Sequence, residues 1–235
     1  MKRTRILAAA AVVLAALTLA SCQDFFTSSL AGWAQRDPTV PSGLTADQAM
    51  TIANQAIVNC DTGLARALLP QMADFLVGTP SDALVEAAVD TAVLATGIGE
   101  AFGEVLAAVG TSIIETGTID PADYDTVAAI LGSVGVSADG FDVFTFLATN
   151  YDDAVPADVT ALAALGVTAE DLALAAAALL VQQATVDGAT LDTLIDGTAS
   201  LTTTDPDYQL ALSMLDLATA LDPTNDLVSL ANGWL

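Results

Sequence analysis

Along residues 45–235, apolar positions recur at three- and four-residue spacing, in segments that open on Ser, Thr, Asp or Pro. Nowhere is the strict alternation of a half-buried strand sustained. Thr45-Ala-Asp-Gln48 has the pattern of a capping box. Asp61, Thr79-Pro80, Asp120-Pro121, Pro156, Thr168 and Asp205-Pro206 each set a cap residue or a first-turn proline before an apolar stretch. Successive starts leave room for one helix and a short turn. Residues 45–235 are therefore expected to form an all-α domain.

Two segments indicate how its helices pack. Within residues 207–222, Tyr208, Ala211, Leu215 and Ala218 line one face, while Leu210, Met214, Leu217 and Leu221 line another. A helix apolar on two sides has to be covered on both. The same holds for residues 169–184, whose Ala-rich faces permit close helix approach. Stacked helical hairpins or an irregular helical bundle satisfy this pattern. The stretch "YQLALSMLDLATALDPTN" resembles the second helix of a tetratricopeptide repeat, with Ala211, Leu215, Ala218 and Pro223 at its small, large, small and proline positions. The preceding "TLDTLIDGTASL" lacks the Trp, Leu-Gly and Tyr of that motif. The resemblance implies solenoid-like packing and makes Tyr208, Ala211, Leu215, Ala218 and Pro223 a candidate interaction helix lining a partner-binding groove.

The N-terminus has a different pattern. Lys2, Arg3 and Arg5 precede residues 6–20, which contain only Ala, Val, Leu, Ile and one Thr. A spanning helix needs about 20 apolar residues. This run is broken by Ser21-Cys22 and then Gln23-Asp24, which suits a signal peptide over residues 1–21. Residues 172–181 are apolar too, but stop at Gln182-Gln183, too short to span.

Leu19-Ala20-Ser21-Cys22 resembles the bacterial lipobox. That resemblance implies cleavage before Cys22, a thioether from its sulfur to diacylglycerol, and acylation of the new amino terminus. Each buried methylene contributes about 0.8 kcal/mol, and two or more chains hold a protein stably on a bilayer. No cofactor beyond these lipid groups is expected. With the Cys22 sulfur consumed, no intramolecular disulfide to Cys60 is expected. Residues 22–44 then read as a tether that partly docks through Phe25, Phe26 and Trp33.

Charge narrows the function. The chain carries 5 basic and 29 acidic residues, a formal charge of -24. Loss of residues 1–21 leaves Arg36 and Arg66 as the positive side chains. Nucleic-acid binding, which neutralises phosphates with Lys and Arg, is excluded, and so is attraction to anionic headgroups. There is no His, and Lys2 is the chain's Lys. Most hydrolase triads, zinc catalysis and P-loop chemistry therefore lack their residues. What survives is carboxylate chemistry, such as a glycosidase pair or an aspartyl dyad. Asp outnumbers Glu although it is the poorer helix former. Helix capping, a surface adapted to high salt and calcium binding each account for that excess. Asp120, Asp123 and Asp125 in "DPADYD" lack EF-hand spacing.

Three motifs suggest chemistry and have plainer uses. Asp61-Thr62-Gly63 matches the aspartic-protease triplet, but "LARALLPQM" follows at helical spacing and no second copy supplies a dyad partner, so Asp61 is expected to cap a helix. Gly97, Gly99 and Gly103 approximate a phosphate-binding loop without its strand, and are expected to break two helices. Trp33 and Trp234 are expected to anchor the tether and the last helix.

The signal, the aromatic "CQDFFTSSLAGWAQRDP" and the run of short helices together resemble acidic, Ala-rich helical lipoproteins of spirochaetes. That resemblance implies a lipid-anchored protein of the bacterial envelope, with its domain facing the periplasm or the exterior. Its tetratricopeptide-like members imply a partner such as a transporter component. The expected function is a non-catalytic interaction or scaffold domain with no catalytic and no metal-binding residues. A carrier of a small apolar ligand and a carboxylate-dependent hydrolase are the alternatives.

Overall fold

Thr45 extends its backbone and accepts a hydrogen bond from the Gln48 N–H, while the Gln48 side chain accepts from the Thr45 N–H; this reciprocal cap starts the first helix. The computed structural model describes residues 40–101, 103–105, 107, 108, 124–189, 193 and 200–232. Among them the fold is all-α, without a strand. The bounded helices are α1 (Ala46–Val58), α2 (Thr62–Phe75), α3 (Asp82–Thr96), α4 (Tyr124–Leu131), α5 (Ala138–Asn150), α6 (Pro156–Ala164), α7 (Ala169–Asp187), α8 (Pro206–Leu221) and α9 (Asp226–Asn232).

Helix starts follow the predicted punctuation closely. Asp61 caps α2 by accepting from the Leu64 N–H at 2.9 Å, which fixes its use as a cap. Thr168 and Asp171 form a second reciprocal cap at α7, and Asp205 with Pro206 starts α8. Pro156 opens α6. Thr79-Pro80 lies ahead of its helix, because α3 begins at Asp82 after Ser81. Asp120-Pro121 falls outside the described residues. Gly97 ends α3 in the left-handed region at φ 74, and helical structure resumes at Ile98, as expected of a break between two helices.

The excess of Asp is partly explained by these starts. Asp47, Asp82, Asp139, Asp158, Asp171 and Asp207 sit in first turns, where a negative charge meets the positive end of the helix dipole. At the opposite pole, the Arg66 Nε–H donates to the Ala95 carbonyl at 2.7 Å and so closes the C-terminal end of α3.

Two mutually packed groups form the body. α1, α2 and α3 pack on one another; α7, α8 and α9 do the same. α3 packs against α7, α5 contacts α2, α3 and α8, and α6 lies on α8, so the groups share one core. Burial shows which helices are central. α7 buries 13 of its 19 residues and α3 buries 10 of 15, whereas α1 buries only Ala49, Ala53 and Ala56. Leu172, Leu179 and Leu180 are completely enclosed in α7, each worth about 1.5–3 kcal/mol of transfer free energy. The result is a helical bundle in which no regular repeat is established.

No single helix among the described residues is long and apolar enough to cross a membrane. The apolar run of α7 is instead the centre of the core.

Candidate functional site

α8 is the predicted interaction helix, and its surroundings determine what it can offer. Tyr208, Ala211, Leu215 and Ala218 are buried, and so are Leu210, Met214 and Leu217 on the other side. Both faces are covered, as a helix apolar on two sides requires. Its main neighbour is α7, with α5, α6 and α9 completing the cover. The apolar side chains therefore build the core and do not line an open groove. What α8 presents to solvent is Pro206, Gln209, Asp216, Thr219 and Ala220, and Pro223 is exposed in the turn that follows.

Polar groups collect at the two ends of α7. At the C-terminal end, the Gln182 side chain accepts from the Val136 N–H at 2.7 Å and donates to Asp207 at 2.7 Å. Gln183 is enclosed and donates to Asp187, which also accepts from the Thr202 N–H and hydroxyl. These donors hold the Asp187 carboxyl below the usual carboxylate range, the Gln183 amide contributing most.

The N-terminal end is the electrostatic opposite. Asp90 on α3 is half-buried, and its carboxyl is pushed up to about 7 by loss of solvent first, then by the charges of Asp171 and Glu86. Burial, then Asp171, likewise raises Glu170. The Glu86 carboxylate lies over Gly166, so close that a Cβ there would come within 2.5 Å of its oxygen. Sequence reasoning missed this cluster. The available signal was Asp90 itself, an isolated charge inside the apolar "AAVDTAVLA". Among the described residues, no three His, Cys, Asp or Glu side chains converge as metal ligands do.

A surface depression of about 530 Å³ is lined by Glu104, Thr126, Ala129, Ile130 and Ser133. It is open to solvent, and its described lining contains one carboxylate. It therefore matches neither the enclosed apolar cavity of a carrier nor the facing carboxylates of a glycosidase.

The anchor motif Leu19, Ala20, Ser21 and Cys22 lies outside the described residues, as do Phe25, Phe26, Trp33 and Trp234. The described segment ahead of α1 is held by Gln71 of α2, whose Nε2 donates to the Pro41 carbonyl at 2.9 Å and whose Oε1 accepts from the Leu44 N–H at 3.3 Å. Val40 and Leu44 pack against the core beside it.

One expectation needs correction. Cys60 is disulfide-bonded, where no intramolecular disulfide was expected. It occupies the turn between α1 and α2 at φ 50, a left-handed conformation that L-residues seldom adopt. Cys22 is the other cysteine of the chain. The expectation depended on assigning the Cys22 sulfur to lipid; that sulfur can hold a thioether or a disulfide, but not both.

Compared with protein-family models, with curated proteins and with solved structures, the chain matches none. The all-helical domain displays no clear catalytic constellation among its described residues.

Proposed function

We propose that this chain is a bacterial envelope lipoprotein, anchored through acylated Cys22, whose helical domain is a non-catalytic interaction or scaffold module. The observation that carries the anchor is the local pattern of Lys2, Arg3 and Arg5, the apolar residues 6–20 and Leu19-Ala20-Ser21-Cys22.

The interaction role draws on a helical body whose described helices share one apolar core, on the strongly acidic composition and on a mature chain without His or Lys. A preformed surface binds with little ordering cost. The partner is a second envelope protein, such as a transporter component, and recognition falls to exposed polar positions of the kind α8 offers at Gln209, Asp216 and Thr219.

Photo-crosslinking from positions 209, 216 and 219 in native envelopes tests the interaction reading. The expected product is one specific protein adduct, lost when an excess of the uncrosslinked domain competes. Adducts to lipid alone would favour the carrier reading.

A further inference from the structure

We draw no further inference here: the strongest candidate, the carboxylate cluster of Glu86, Asp90 and Asp171 where α3 meets the start of α7, is an acidic cluster with no second feature of the structure pointing to what it would hold.

Discussion

The two ends of α7 solve the same problem in opposite ways. Each brings polar groups from distant segments against a central apolar helix. At the C-terminal end, neutral amides of Gln182 and Gln183 do this, and carboxylates of Asp207 and Asp187 receive their donors. Hydrogen bonds leave Asp187 readily ionised, whereas the enclosed Gln183 Oε1 has no partner among the described residues. At the N-terminal end, like charges meet, and Asp90 is held against burial and against Asp171 and Glu86 together. One end is fastened by donors; the other keeps a carboxyl from solvent, and the neighbouring charges add to that cost. The difference teaches that the acidic composition is harmless where an amide or helix start receives a carboxylate, and costly where α3 and α7 bring carboxylates together.

The largest effect is expected where both ends depend on the same packing. Leu179 is completely buried between them, and Leu179→Ala is expected to destabilise the domain by about 2–5 kcal/mol. Urea unfolding would read this as a lower midpoint with an unchanged slope. A change in slope, or separate transitions for the two groups of helices, would break the picture of one shared core.

A smaller loss tests the neutral end alone. Gln182→Ala removes the acceptor for the Val136 N–H and the donor to Asp207, which is expected to cost about 1–3 kcal/mol. Hydrogen exchange would show the accompanying rise at the Val136 amide. An unaltered Val136 amide would show that the amide clamp contributes nothing.

The acidic end is expected to respond in the other direction. Asp90 has a folded pKa of about 7, above the ordinary carboxylate value of 3.8, so the folded state takes up its proton first. Stability therefore rises as pH falls from about 8 toward 4. Glu170 and Asp216, whose carboxyls are also raised, act in the same sense. Asp187 and Asp222 are lowered, and the stability they give is lost as pH falls below the carboxylate range. Asp90→Asn is expected to stabilise the domain at pH 8 by about 1–2 kcal/mol, a value discounted for partial exposure of the group, to keep a little under half of that at pH 5, and to be nearly neutral only at about pH 3, below the unfolded carboxylate value. Equal shifts at pH 8 and about pH 3 would remove the account of Asp90 as a carboxyl disfavoured in its ionised form.

Much of this architecture was legible because its signals are local. Thr45, Asp61, Thr168 and Asp205-Pro206 announce helix starts within three or four residues, and the two apolar faces of α8 are visible in one window. α5 was harder to read: Ser137 caps it through the Gly140 N–H, and Asp139, Gly140 and Asp142 interrupt its apolar pattern. The clamps of Gln71 and Gln182 were not legible at all. Their partners lie 25 to 46 residues away, and a glutamine within a helical run shows only the helix. The Asp90 cluster likewise depends on which helix packs on α7, a tertiary fact that periodicity does not contain. The lipobox-like motif is wholly local, whereas the disulfide at Cys60 is not visible in any single window.

The most direct test of the account is the intact mass of the protein extracted by detergent from native membranes without reductant. The account predicts a chain beginning at Cys22 that carries diacylglyceryl and an added acyl chain. An unlipidated chain that gains two hydrogens on reduction, with Cys22 and Cys60 joined in one peptide pair, would contradict the anchor.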